Sequence, residues 1–394
     1  MEASASLAHH ADAGTGAQAH VTIVEDYLLE YRRPFFELLE PTLAARSIRL
    51  SVAVGRVPDS FARRGDEVPP LPFVHEVPTR AFSFAGRRLA YKRLAEFAAD
   101  SDLLIVDQAL RHLENYRLLL RRRRGPKIAL WGHGARRVKA AMALERFLER
   151  RITTSADWFF AYTPSGAAQV AASGFDPQRI TVVRNTVDVA ELAELRRSVS
   201  EDDQARLRAA LDLPTRNVGL FIGALDASKR IPFLLEAGSI VARRIPDFVL
   251  IVVGDGDDRP LVEEAQRSRS WLRYAGRATG VDKARLGSVS DVLLMPGRVG
   301  LVAVDSFALQ TPIVTTTWPY HAPEVDYLED GINARFSGDN ATEYAQVVAD
   351  VLTQRDALSR LKNACAAAVP DYSLEGMVER FAEGVGSALA TPRA

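Results

Sequence analysis

The stretch that most narrows what this chain can fold into runs from Leu293 to Thr317, LLMPGRVGLVAVDSFALQTPIVTTT. An apolar strand over Val292 to Met295 meets a Pro-Gly break at Pro296 and Gly297. A helix follows from about Leu301 to Leu309, and a second apolar strand returns from Pro312 to Thr315. This is the pattern of a βαβ unit in a doubly wound parallel sheet. Gly300 removes the side chain where the backbone enters the helix, so the unsatisfied N–H groups of Leu301 and Val302 are free to face an anion such as a diphosphate. Plain βαβ packing uses the same grammar, so the chemistry has to be read from the rest of the chain.

A chain of 394 residues, 47% hydrophobic and 25% charged, is expected to form two α/β domains, each with its own core. Lys+Arg and Asp+Glu both number 50, which argues against a nucleic-acid partner. The only cysteine, Cys365 in LKNACAAAV, reads as a small buried residue and permits no internal disulfide. No run of eighteen apolar residues and no leader pattern occurs, so a cytoplasmic location is expected. Peripheral contact with the inner membrane face is kept open by the run Arg121 to Arg124 and the basic amphipathic stretch Arg136 to Arg151.

Residues 1–19 are Ala-, Gly- and Ser-rich and read as a disordered tail; His9 and His10 there lack the ligand spacing of a metal site. A first domain is expected over 20–190. It opens with a strand at His20–Val24 and a helix whose apolar face is Phe35, Phe36, Leu38 and Leu39, with Pro34 in the first turn. Arg32 and Arg33, just before that helix, are candidates for a donor phosphate or an anionic acceptor. Strands follow at Ile48–Val54 and Asp102–Asp107. Asp107, Gln108 and His112 lie past the carboxyl end of the latter, where open α/β sheets hold ligands, and are candidates for an acceptor. In KIALWGHGAR, His133 sits between two glycines at another strand end, where bare backbone permits close approach. The second domain is expected over 191–371 after a polar helical linker at about 190–212, and residues 372–394 are expected to form a helix crossing back to the first domain. The carboxylates of Gly254-Asp-Gly-Asp-Asp258 read as a turn in preference to a metal site.

Several passages together resemble the retaining glycosyltransferases of the GT-B fold, family four. GLVAVDSFALQTPIV matches the latter half of a motif that runs Glu-Gly-Phe-Gly-Leu with a second glutamate eight positions after the first. Tyr31-Arg32-Arg33-Pro34-Phe35-Phe36, the passage from Ser155 to Asp188, Gly223 to Ala237, Trp271 to Arg277, and Pro323-Glu324 with Asp330-Gly331-Ile332-Asn333 match in the same order. The resemblance implies two Rossmann-like domains facing across a cleft, and metal-independent transfer of a sugar from a nucleotide-diphosphate donor to a hydroxyl or amine of a small-molecule, glycan or glycolipid acceptor. No cofactor and no metal are implied. His133, Lys229 and Asp305 would be catalytic. Gly223, Ala224, Lys229, Arg230, Tyr274, Gly276, Arg277, Gly297, Arg298, Gly300, Leu301, Val302 and Asp305 would line the donor. Two anchors depart from the pattern: Gly297 stands where the family has its first glutamate, and Ala224 where it has a diphosphate-binding arginine, with Arg230 or Arg298 as replacements for the lost charge. These departures imply an unusual donor or acceptor, as in specialised-metabolite or surface-polysaccharide assembly, and admit a second reading, a GT-B-like subunit that binds a nucleotide sugar or partner without turnover. A nicotinamide dehydrogenase is disfavoured because no Gly-x-Gly-x-x-Gly follows the first strand.

Overall fold

Strands that are apolar at nearly every position need cover on both faces, and the chain meets that need twice. In the computed structural model, which describes residues 18–56, 71–84, 87–120, 125–134 and 143–393, the first domain contributes β1 (Ala19–Glu25), β2 (Ile48–Val54), β3 (Val74–Glu76), β4 (Thr79–Phe84), β5 (Arg87–Lys92), β6 (Leu103–Asp107), β7 (Lys127–Gly132), β8 (Trp158–Ala161) and β9 (Ile180–Val182). Seven of these make a parallel sheet in the order β3-β2-β1-β6-β7-β8-β9; β4 and β5 pair separately as an antiparallel hairpin. The second domain contributes β10 (Val218–Ile222), β11 (Val249–Val253), β12 (Leu272–Tyr274), β13 (Val292–Met295), β14 (Ile313–Thr316) and β15 (Ala334–Ser337), a parallel sheet in the order β12-β11-β10-β13-β14-β15. In each sheet the winding reverses once, between β1 and β6 and between β10 and β13. Those two points open the crevices where ligands of such sheets bind.

The final helix, Leu374–Ala390, packs on the first domain's sheet and on the helix Arg33–Ala44. Phe381 is its anchor: its ring stacks on Phe160 at 4.4 Å and meets Trp131 at 4.9 Å and Phe35 at 5.3 Å. Burying such a ring contributes roughly 2–3 kcal/mol. No helix among the described residues is long and apolar enough to cross a membrane.

Four local readings change. The apolar face of the helix Arg33–Ala44 is Phe35, Phe36, Leu39 and Leu43, while Leu38 is 38% exposed, because helical spacing turns it away from the sheet. The segment read as a linker forms two helices, Val189–Ser198 and Glu201–Ala210, and the first buries Val189 and Leu192 in the second core. Ala19 already belongs to β1, paired with Ile48. The helix after Gly300 is short, Val302–Ala308. Residues 1–17 of the tail, with His9 and His10, and the basic run Arg121 to Arg124 lie outside the described residues, as do residues 136–142 of the basic amphipathic stretch.

Candidate functional site

On the second domain's crevice, two loops are stitched together through backbone. After β10 the chain passes Gly223 and Ala224, makes a 3₁₀ turn at Ala227–Lys229 capped by Asp226, and sets Arg230 in the left-handed region at φ 57° before the helix Ile231–Arg244. After β13, Arg298 N–H donates to Ser228 O at 2.8 Å, and Lys229 Nζ donates to Arg298 O at 2.5 Å. Gly297 lies between these strands of backbone. A Cβ there would sit 2.5 Å from Ser228 O and 2.6 Å from Lys229 C, so no side chain fits unless the 228–229 turn moves. This is a physical reason for the missing glutamate: the turn carrying Lys229 occupies the room. Gly254 does the same for the turn after β11, where a Cβ would fall 1.8 Å from Gly223 O. Asp255 accepts from Gly256 N–H within that turn, a turn's own bonding.

The cations here have different duties. The Arg230 guanidinium is ion-paired with Asp339, donates to Pro296 O and lies over the Phe233 ring at 4.4 Å, so it braces the loop. Among the described residues, no carboxylate lies within ion-pair distance of Lys229 or Arg298. Burial lowers the Lys229 pKa to about 8, with Arg298 lowering it further against Asp226 and Glu324. The helix Val302–Ala308 is covered on every side but one: Val302 and Asp305 alone keep as much as 9% exposure, with half-buried Leu301 at its start. Asp305 is ion-paired to Lys283, 2.6 Å away on the helix Gly280–Ser288. Gly276 takes φ 69° in the loop that leads from β12 through Arg277 to that helix. Tyr274 donates its hydroxyl to Gly254 O at 2.9 Å, and Arg259 already lies 5.6 Å from its ring centre.

The first domain's crevice holds a cavity of about 530 Å³, lined by Glu25, Asp26, Tyr31, Arg32, Asp107, Gln108, Arg111, His133 and Tyr162, with Arg298, Tyr320, His321 and Pro323 facing it from the second domain. His133 and Arg298 therefore line one cavity from opposite domains. Gln108 fixes the His133 loop: its amide accepts from Gly134 N–H at 2.9 Å and donates to Gly134 O at 2.7 Å and Thr153 Oγ1 at 3.0 Å. The His133 ring meets Tyr162 edge-on at 4.7 Å. Burial holds the imidazole below its usual pKa against Glu324 and Asp107, and Arg298 and Arg32 add to the depression. The Glu25 carboxyl has no hydrogen-bond partner among the described residues, and burial, with Asp107 and Asp26 nearby, raises its pKa to about 7 despite Arg32.

Behind the cavity wall lies a charged cluster. Lys92 Nζ donates to Asp26 Oδ1 at 2.7 Å and Glu114 Oε1 at 3.3 Å; Arg111 pairs with Asp26 at 2.5 Å; His112 lies 3.3 Å from Asp26 and 3.4 Å from Asp107. His112 is 2% exposed and does not line the cavity. Burial opposes its charge, but hydrogen bonds to Asp107 and Glu114 prevail and raise its pKa. Ligand atoms of Asp26, Asp107 and His112 lie within 4.8 Å of one another, a spacing that suits a cation. Cationic side chains already crowd it: Arg111 Nε lies 3.2 Å from His112 Nε2, the atom that Asp26 and Asp107 approach, and the Lys92 ammonium is 2.7 Å from Asp26. Arg33 is not on the cavity wall and pairs with Glu37 on its own helix at 2.7 Å.

A buried relay joins the two walls. Arg32 Nη1 donates to Asn185 Oδ1 at 2.9 Å, and Asn185 Nδ2 donates to Glu324 Oε1 at 2.6 Å. Glu324 comes from the second domain and its Oε2 lies 4.0 Å from where a Gly300 Cβ would be. Tyr327 adds hydroxyl bonds to Tyr162 O at 3.1 Å and Asn185 O at 3.2 Å. The sequence reading left Glu25, Tyr162, Asn185, Lys283 and Glu324 out of the site. Pro323-Glu324, and the passage from Ser155 to Asp188 that holds Tyr162 and Asn185, were the visible signals; Glu25 and Lys283 have no local motif.

Comparison with known proteins agrees with this architecture. Residues 37–191 match the model of Glycosyltransferase Family 4, and residues 216–354 match that of Glycosyl transferases group 1. The chain is 32% identical over 102 residues to a phosphatidyl-myo-inositol mannosyltransferase of Mycobacterium tuberculosis, covering 25% of this chain and 27% of that protein. It is 26% identical over 121 residues to the alpha-D-kanosaminyltransferase of Streptomyces kanamyceticus, covering 29% and 31%. The matches thus span about a third or less of these relatives' length. Among solved structures, a glycosyltransferase from Rickettsia africae superposes with a TM-score of 0.69 at 13% identity, covering 96% of this chain and all of that one. Anabaena HepE in complex with UDP does so at 0.67 and 13% identity, covering 94% of this chain and all of that one.

Proposed function

Because the chain belongs to the group 1 and family 4 glycosyltransferases of the GT-B fold, we propose that it moves a sugar from a nucleotide-diphosphate donor, held on the second domain, to an acceptor seated in the cavity over the first, with retention at the anomeric carbon. The observation that carries this reading is that Arg298 lines, from the second domain, the cavity that His133 lines from the first, and that Lys229 Nζ bonds the Arg298 carbonyl, neither cation having a carboxylate partner among the described residues. Two neighbouring cations are neutralised by a dianion, and a departing diphosphate supplies one. Leu301 and Val302 at the helix entry add N–H donors. With the acceptor on the leaving group's own face, the oxygen released from the anomeric carbon is the nearest base for the acceptor's proton. Lys229, Arg298 and the helix entry supply the charge stabilisation that a divalent ion gives elsewhere, so the reaction runs without a metal.

Arg298 takes over the charge missing at Ala224, and the absence of a carboxylate at Gly297 leaves a donor-sugar hydroxyl unread, which favours an uncommon donor or acceptor. The relative named for mannosyl transfer to phosphatidyl-myo-inositol makes a lipid-linked acceptor at a membrane face the first to try, and the one named for kanosaminyl transfer makes an amino-sugar donor the first uncommon donor to try. The test is turnover: the purified protein releases nucleoside diphosphate from a matched donor, and His133→Ala lowers kcat at least tenfold while leaving nucleotide affinity within twofold. Tight nucleotide binding with no turnover on any donor supports the non-catalytic reading instead.

A further inference from the structure

We propose that the acceptor, free or lipid-linked, carries a protonated amine, and that Glu25 and Asp107 form the seat for its ammonium; this rests on the acceptor reading of the cavity above. Both residues end strands of the first sheet. Val24 of β1 pairs with Val106 of β6, so Glu25 and Asp107, one step further on, lie side by side where the winding reverses, with backbones about 5 Å apart. Both line the cavity of about 530 Å³, a size suited to a small ligand held by a few placed polar groups. The charges on this wall are not balanced. Four carboxylates, Glu25, Asp26, Asp107 and Glu149, and two guanidiniums, Arg32 and Arg111, line the cavity from the first domain. Both guanidiniums are committed: Arg111 pairs with Asp26, and Arg32, 7% exposed, donates to Asn185 and lies over the Trp131 ring at 4.8 Å.

That leaves the Glu25 carboxyl without a partner among the described residues, and the Asp107 carboxylate, its side chain 36% exposed, with His112 Nε2 at 3.4 Å. The Tyr162 hydroxyl on the same wall also has no partner among the described residues. Adjacent carboxylates facing one cavity repel each other. Burial, together with Asp107 and Asp26, holds the Glu25 pKa at about 7 although Arg32 and Lys92 pull it down. A neutral hydroxyl would give the pair hydrogen bonds and leave the repulsion in place. An ammonium has three donors and a positive charge, so it relieves the repulsion while bonding both carboxylates and the Tyr162 oxygen. An anion seated there would add to the repulsion. A protonated amine is no nucleophile, so it serves as a handle: it holds the molecule while a hydroxyl elsewhere on it meets the donor at His133 and Arg298, which line the same cavity.

The experiment is a calorimetric titration of the protein, saturated with the nucleoside diphosphate that stabilises it most, with glucosamine, glucose and glucuronate, sugars of one ring shape carrying a cation, no charge and an anion. Wild type is expected to bind glucosamine at least tenfold more tightly than glucose, and glucuronate more weakly than either. Glu25→Gln, which removes the charge and keeps the shape, should bring the preference for glucosamine to within twofold and leave nucleoside-diphosphate affinity unchanged. Asp107→Asn should lower the preference in the same direction, and Glu25→Asp, which keeps the charge, should retain part of it. Melting temperatures of the free proteins show that each variant folds. Glucose bound as tightly as glucosamine, glucuronate bound most tightly, none of the three bound, or a preference that survives Glu25→Gln overturns the proposal. If folded wild type binds no nucleoside diphosphate, the donor reading falls, and the same sugar titrations on the free protein still decide the ammonium seat.

Discussion

The two walls of the crevice are built by different means. On the second domain, backbone meets backbone: Gly297 against Ser228 and Lys229, Gly254 against Gly223, and Arg298 N–H on Ser228 O. Its Arg298 faces the cavity and its Lys229 bonds the Arg298 carbonyl, neither with a carboxylate partner among the described residues. On the first domain the wall is side chain on side chain, with Lys92, Arg111 and His112 spent on Asp26, Asp107 and Glu114. A wall of the first kind leaves its charge available to a ligand, whereas a wall of the second kind uses charge to hold its own shape. Removing a cation should therefore cost ligand binding on one side and folding stability on the other.

The largest expected effect comes from deleting one lysine on each wall. Lys229→Met is expected to cost transfer on the order of 100-fold or more, as loss of a preorganised charge at a leaving group does, with little change in melting temperature. Lys92→Met takes the shared ammonium from buried Glu114 and from half-buried Asp26, which keeps Arg111, and is expected to destabilise the fold by about 3 kcal/mol. Denaturant melts beside transfer assays decide it, and equal stability losses in both variants would erase the contrast.

Gly297→Glu comes next. Restoring the family's glutamate is expected to damage this protein, since its Cβ would press on the Ser228–Lys229 backbone at about the 2.5 Å already noted. Nucleoside-diphosphate affinity should fall at least tenfold, and Gly297→Ala should lower it in the same direction. A glutamate variant that binds and turns over a common hexose donor better than wild type would show that the turn yields.

The smallest effects are in pH. The ammonium is the form of Lys229 that binds a diphosphate, and its pKa is lowered to about 8, so affinity should decline as pH rises through 8 and Lys229→Arg should flatten that decline. Glu25 shows the opposite wall's behaviour. Its pKa is raised to about 7 in the fold, so its protonated form is favoured on folding. That contribution is complete below the ordinary carboxyl pKa near 4.5 and is lost as pH rises through 7. Glu25→Gln should match wild type in melting temperature near pH 4 and exceed it at pH 8, where the ionised carboxylate costs roughly 3 kcal/mol. A constant difference across that range would remove the argument for Glu25.

The contrast between the walls also explains what the chain made legible. βα alternation, the Pro-Gly break at Pro296 and Gly297, and the apolar strands are local patterns, and they led to two parallel-sheet domains. Lys229, Arg298 and Asp305 stand within a few residues of such patterns, so they were found. Lys92 with Asp26, 66 residues apart, and Asn185 with Glu324, 139 apart, meet only through the fold. Gln108 was singled out for an acceptor but holds the His133 loop, a role fixed by an amide and a backbone 26 residues away. Gly297 was visible as a departure, yet its reason, the approach of Ser228 and Lys229, is a distance no sequence states.

The most direct test of the account is the structure of the crystalline protein soaked with the nucleoside diphosphate that stabilises it most. The account predicts phosphate density within hydrogen-bond reach of Lys229, Arg298 and the N–H groups of Leu301 and Val302, with the ribose at Asp305. Phosphates lodged instead on Arg32 or Arg111 in the first domain's cavity, with Lys229 and Arg298 untouched, would contradict it.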